Sequence, residues 1–225
     1  PEGVGAYTID ELTADVLGLI DAAGVEQALV VGHDWGAAVA WHLAARYPSR
    51  IRRMVIINVP HGAVMTRHIK HSPRQMLKSW YILFFQLPWL PETISRLGDW
   101  RAPAAVMRSR SRTGTFTDQD LARYREAWSQ PRAFTSMIHW YRAAARKRSD
   151  RGASARIRVP TLLLWGARDQ FLDRAMAQPS IELCADGQLK VFEEATHWVH
   201  HEEPRRVNHL IESFIRTGAV GRGKV

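Results

Sequence analysis

Cysteine is almost absent from this 225-residue chain: Cys184 stands alone. No intramolecular disulfide can form, no thiolate cluster can hold a metal, and a reducing, cytoplasmic compartment is the expectation. Also lacking is any apolar run near the ~20 residues of a membrane-spanning helix. The N-terminus shows none of the basic, apolar, small-residue order of a signal peptide, so neither a membrane span nor export is indicated. Acidic residues are outnumbered, 22 against 31 Lys and Arg, for a net charge of +9. Such an excess suggests nucleic acid or a membrane surface as partner, but it is concentrated in Arg108 to Arg112 and in Arg142 to Arg158. Neither run interleaves aromatics along a strand as a base-stacking platform requires, so both read as solvated basic faces and no nucleic acid is expected. Internal repeats are lacking too. What is present is 46% hydrophobic residues, ample for a buried core.

Thr8 to Glu11 has the form of a capping box, followed by Leu12, Val16, Leu19 and Ile20 on one helical face and Gly24 as a stop. Four short apolar runs come next in the order Ala28–Gly32, Met54–Asn58, Thr161–Trp165 and Leu189–Phe192. They do not alternate with polar residues, and helical patterns separate them. That combination predicts an α/β fold with a mostly parallel sheet covered on both faces. Between the second and third runs lies a helical insertion rich in Trp, Tyr and Arg, with a helix cap at Thr117 to Asp120. A last helix starts near Pro204 and carries Val207, Leu210, Ile211, Phe214 and Ile215 in one stripe. The reading divides the chain into a first core part over 1–59, the insertion over 60–158, a second core part over 159–217 and a disordered tail over 218–225.

Gly32-His33-Asp34-Trp35-Gly36 sits where a strand turns into a helix. It has the form of a nucleophile elbow, in which glycines permit a tight turn and the central side chain projects at the C-terminal edge of the sheet. Taken alone, Asp34 suits a helix N-cap equally well. Asp169, ending Trp165-Gly-Ala-Arg-Asp169, would alone pass for a turn residue, and His197 in Ala195-Thr-His197-Trp198 for a surface group. All three follow strands on one sheet edge, in the order nucleophile, acid, histidine, and this joint pattern points to a catalytic triad.

These motifs resemble the α/β-hydrolase superfamily, and within it the soluble epoxide hydrolase-like branch, related to haloalkane dehalogenases, that attacks with an aspartate. The likeness runs from Tyr7 to Thr217. It implies Asp34 as nucleophile, His197 as base, Asp169 as orienting acid, and a helical cap from about Pro60 to Arg158. The chemistry favours a carboxylate: serine attacking an alkyl carbon would leave an inert ether, whereas aspartate leaves a hydrolysable ester and is ionised at a reference pKa of about 3.9. The resemblance extends to Ser79-Trp-Tyr81-Ile-Leu-Phe-Phe85-Gln86 and His139-Trp140-Tyr141-Arg142, which match the two ring-opening tyrosine contexts. It therefore implies Tyr81 and Tyr141 as proton donors, although either one alone reads as core packing. Tyr7, Tyr47 and Tyr124 lack such contexts and read as structural. Trp35 leaves two readings open, a halide-binding indole or a pocket wall; its backbone N–H suits an oxyanion donor in both. Trp80, Phe84, Phe85, Trp140 and Trp198 suit an apolar pocket or a core equally. His33 reads as a structural elbow residue, and His61, His68 and His71 as surface or hinge residues. His200 and His201 lack the convergent acidic partner of a metal site, so no metal and no cofactor are expected.

In one respect the chain departs from that family: no His-Gly-x-Pro oxyanion loop precedes Asp34, and His61-Gly62 follows the second strand. Losing one oxyanion donor costs roughly two to three orders of magnitude in rate. The expectation is a fragment lacking N-terminal strands, inactive as it stands, with the outer edge of the elbow strand unpaired. For the intact protein the leading function is hydrolysis of a small hydrophobic epoxide by water. A haloalkane or haloacid dehalogenase with the same triad is the alternative, and a catalytically inactive ligand-binding protein is the reading from another class.

Overall fold

A computed structural model describes residues 1–146 and 156–219. Its centre is a four-stranded parallel sheet in the order β1 (Ala28–His33), β2 (Ile51–Ile57), β3 (Thr161–Gly166), β4 (Gly187–Phe192). All four expected strands form. The two central ones are apolar from Met54 to Ile57 and from Leu162 to Trp165, because side chains there alternate between two covered faces. Met54, Ile56, Leu163 and Trp165 pack with α2 (Trp35–Arg46) on one face, while Val55, Ile57, Leu162 and Leu164 pack on the other with α11 (Pro204–Thr217) through Val207 and Phe214.

α1 (Ile9–Ala22) starts where expected, with the Thr8 side chain accepting from the Glu11 N–H, but its apolar face is only partly covered: Leu12 and Ile20 are buried and Leu19 is exposed. That face borders the outer edge of β1. Among the described residues β1 pairs with β2 alone, and Leu29 and Val31 face outward. A groove of about 580 Å³ runs there, lined by Leu12, Val16, Leu19, Leu29 and Val31 among others.

Between β2 and β3 the described residues form six helices: α3 (Gly62–His71), α4 (Pro73–Lys78), α5 (Trp80–Phe84), α6 (Leu90–Arg110), α7 (Asp118–Ser129) and α8 (Ala133–Arg146). They enclose a core of their own around Trp100, Met107, Phe116, Leu121, Trp128, Phe134 and Ile138. Backbone turns with positive φ at Gly98, Asp99 and Trp100 break α6 into two pieces. The Thr117–Asp120 capping box forms at the start of α7. Two short helices, α9 (Ala177–Ile181) and α10 (Val199–Glu202), flank β4.

Three sequence expectations need correction. Arg142 is not on a solvated face: it is buried, its guanidinium pairs with Glu92 at 2.6 Å, and it donates to the carbonyls of Phe85 and Leu87. Electrostatic pairing and backbone acceptors together offset its desolvation. His61 is buried as well, capping α3 and packing edge-on against Trp41, with ring centroids 5.3 Å apart. The tail expected from 218 does not start there. Gly218 closes α11 with φ 77, as a left-handed C-cap favours, and its carbonyl accepts from Gln188. Residues 220–225, and 147–155 of the second basic run, lie outside the described residues.

Candidate active site

Asp34, Asn58, Asp169 and His197 follow β1, β2, β3 and β4 respectively, so one edge of the sheet gathers them. Asp34 stands at the first turn with φ 49 and ψ −127, a conformation costing on the order of 1–3 kcal/mol for a residue with a side chain. It occupies the N-cap position of α2 yet makes no capping hydrogen bond, so its carboxylate is not spent on the helix. The tight turn requires Gly32. A Cβ there would lie 2.6 Å from the Gly36 carbonyl oxygen and 2.7 Å from the Ala37 Cα. Gly166 is required at the end of β3, where a Cβ would lie 2.0 Å from the Thr196 carbonyl oxygen, on the loop that carries His197.

His197 lies between two carboxylates. Its Nδ1 is 2.8 Å from Asp169 Oδ2, a hydrogen bond, and its Nε2 is 3.7 Å from Asp34 Oδ1, close enough for strong attraction without a formed bond. Asp169 is buried but well supplied with donors: Asn58 Nδ2 at 2.9 Å on Oδ2, and the N–H groups of Phe171 and Leu172 at 2.7 and 2.9 Å on Oδ1. Burial works to raise its pKa, but His197 and these donors hold it below the usual carboxylate range. Burial likewise opposes ionisation of Asp34, and His197 outweighs it. For His197 burial disfavours the cation, but the two carboxylates push its pKa up to about 10. The resting site is thus an imidazolium between two carboxylates.

Behind it stand two histidines held neutral. His33 packs on the His197 ring at 4.7 Å, its Nε2 lies 3.0 Å from the His197 carbonyl oxygen, and burial followed by the charge of His197 lowers its pKa to about 4. His200 packs on His33 at 4.3 Å, with its pKa lowered by burial to about 3. Among the described residues no group of three His, Cys, Asp or Glu is placed to hold a metal ion.

Tyr81 and Tyr141 of the helical insertion meet Phe171, on the loop after β3, over this edge. Tyr81 and Tyr141 pack with ring centroids 5.9 Å apart, and Tyr81 meets Phe171 at 6.0 Å. Burial, reinforced by the charge of Asp34, raises both phenol pKa values, so both hydroxyls keep their protons. Tyr141 meets Trp35 edge-on, with ring centroids 5.0 Å apart. The Trp35 backbone N–H helps keep the Asp34 carboxylate ionised. The pair is set in register by Arg142, which grips the Phe85 and Leu87 carbonyls, and by Gln86, whose Nε2 donates to the Tyr141 carbonyl at 3.2 Å.

Of the aromatic pocket candidates, Phe85 packs on Tyr81 and Tyr141, Trp140 on Trp35, and Trp198 on Phe171 and His197. Phe84 is half-buried beside Phe85. Trp80 points away and is 63% exposed. Sequence reasoning missed Asn58, Gln75 and Phe171. Asn58 ends the β2 run on the same edge as the other three, a readable signal. Gln75 is fully buried; its Nε2 donates to the Phe171 carbonyl at 2.8 Å and its Oε1 accepts from the Asp173 N–H at 2.9 Å, fastening α4 to the loop of Asp169. Nothing in the sequence marks that contact.

The chain matches the family model described as the alpha/beta hydrolase fold over residues 1–204. It is 43% identical to AB hydrolase superfamily protein YfhM of Bacillus subtilis over 96% of this chain and 75% of that one. It is 35% identical to human Epoxide hydrolase 4 over 93% of this chain and 59% of that one, and so spans about three-fifths of the human relative. The crystal structure of Epoxide Hydrolase A from Mycobacterium thermoresistibile superposes with a TM-score of 0.79 at 29% identity, over 96% and 78% of the two chains. Because the family match takes in all four strands together with Asp34, Asp169 and His197, the chain belongs to the alpha/beta hydrolase fold family, in its epoxide hydrolase-like part.

Proposed function

We propose that the protein hydrolyses epoxides to vicinal diols through an alkyl ester on Asp34, with the helices between β2 and β3 acting as a cap over the site. A carboxylate oxygen of Asp34 attacks an epoxide carbon, the ring C–O bond breaks, and the departing oxygen takes a proton from the Tyr81–Tyr141 pair. Esterification removes the charge of Asp34, one of the two that hold the proton on His197, and so lowers the histidine pKa; the proton passes to the tyrosinate left by ring opening, which restores the phenol and leaves His197 a neutral base. His197 then deprotonates a water that attacks the ester carbonyl, while Asp169 stabilises the imidazolium and the Trp35 N–H receives the oxyanion. Collapse releases the diol and the carboxylate, and the proton taken from water stays on His197, restoring the resting imidazolium.

One observation carries the choice of epoxide over halide: two half-buried phenols that keep their protons, Tyr81 and Tyr141, pack on each other beside Asp34, and the Trp35 ring lies edge-on to Tyr141. Similarity to proteins named epoxide hydrolases supports the same reading. Single turnover in heavy-oxygen water tests the covalent step: label should enter Asp34, and an unlabelled Asp34 with product formed would overturn it. Tyr81→Phe with Tyr141→Phe should abolish ring opening; retained epoxide turnover would remove the tyrosines from the mechanism.

A further inference from the structure

Helices α4 and α5 follow one another across Ser79, and one apolar face of the pair is turned away from any core. Met76, Leu77, Trp80 and Leu83 recur at helical spacing, Leu87 comes next, and their exposure runs from 44% at Leu87 to 76% at Leu77. The polar Gln75 is instead fully buried on the inward side. Trp89, with φ 51, and Leu97 carry further exposed apolar surface. One exposed leucine needs no explanation, but a ridge of large apolar groups marks an interaction surface.

The charges around the ridge narrow its partner. Residues 62–91 contain no Asp or Glu and carry Arg67, Lys70, Arg74 and Lys78. Arg67, Lys70 and Arg74 are exposed, while Lys78 turns inward to donate to the Asp169 carbonyl. The first acid beyond, Glu92, is taken by Arg142. A two-fold contact with a second copy would bring like cations together. An anionic bilayer satisfies both features, taking the apolar side chains into its interface and the cations at its headgroups, where Trp is favoured. Among the described residues no helix is long and apolar enough to cross a membrane, so the contact is peripheral. We propose that the ridge from Met76 to Trp89 docks the protein on anionic phospholipid surfaces.

The test is co-sedimentation of the full chain with vesicles of phosphatidylcholine, alone or mixed with phosphatidylglycerol. Binding to the mixed vesicles should be at least about tenfold tighter and weaken as salt rises. Leu77→Glu with Leu83→Glu, both exposed and so compatible with folding, should abolish it. Lys70→Gln and Arg74→Gln should each weaken anionic binding about fivefold, the worth of one cation near such a surface. No binding to mixed vesicles, or unchanged binding by the double glutamate variant, would overturn the proposal. So would a solution dimer that the same variant dissociates, which would assign the ridge to a second copy. Epoxide turnover is not read in these measurements, so their failure leaves the proposed chemistry of Asp34 untouched.

Discussion

Asn58 is the most informative residue to perturb, because its amide joins two strand ends. It is fully buried with φ 54, its Nδ2 donates to Asp169 Oδ2 at 2.9 Å, and its Oδ1 accepts from the Gly166 N–H at 2.9 Å. Asn58→Ala removes a charge-assisted hydrogen bond, about 1.5–3 kcal/mol, and orphans a buried N–H, about 1–3 kcal/mol. Alanine also tolerates a left-handed backbone less well than asparagine, adding about 1 kcal/mol. A loss of about 4–7 kcal/mol is expected, a large share of a typical 5–15 kcal/mol total. The effect on rate should depend on pH. Asp169 and His197 titrate as a coupled pair, and without the Asn58 donor each holds a proton more tightly. By the 1.36 kcal/mol equivalence, the acid limb of ester hydrolysis should move up by about one to two pKa units while the alkaline plateau persists. Urea unfolding and stopped-flow hydrolysis across pH would measure both. Asn58→Gly separates the contributions, since glycine restores the backbone without the amide: stability should recover by about 1 kcal/mol while the acid limb stays shifted. An unmoved acid limb in both variants would refute the electrostatic role and leave Asn58 a strap between strands.

Gln75→Leu should slow hydrolysis of the ester more than its formation, because the loop it fastens supplies the Phe171 and Leu172 N–H groups to Asp169; equal slowing of both steps in burst kinetics would contradict this. Stability should fall on acidification from pH 7 to 5. His33, His61 and His200 have folded pKa values of about 4, 4 and 3, below the unfolded 6.5, so the unfolded chain binds more protons across that interval. Each contributes about 2 kcal/mol of lost stability between those pH values, by linkage. His197, raised to about 10, works the other way: its contribution is full below 6.5 and fades as pH rises through 10, so it offsets under ~1 kcal/mol. Asp34 and Asp169, held below 3.8, stay ionised throughout. A urea midpoint unchanged between pH 7 and 5 would show that these histidines are not held neutral.

The chain order of Asp34, Asp169 and His197 was legible because parallel strands deliver residues that follow them to one edge, whatever lies between. Strand position could be read from apolar runs for the same reason: burial on both faces writes itself continuously into the sequence. The supports were not legible, because they are contacts between segments far apart in the chain. Gln75 looks like any polar helical residue until α4 lies on the loop after β3, and Arg142 looked solvated until Glu92 and two carbonyls came to meet it. Composition assigns a charged side chain to water by default, and only tertiary structure shows that its partners have been assembled. The same default failed in reverse at Met76, Leu77, Trp80 and Leu83. Their spacing would ordinarily assign them to a core, yet all four are exposed while Gln75 is buried. Periodicity reports that a helix has two unlike faces; it does not report which one the rest of the molecule covers.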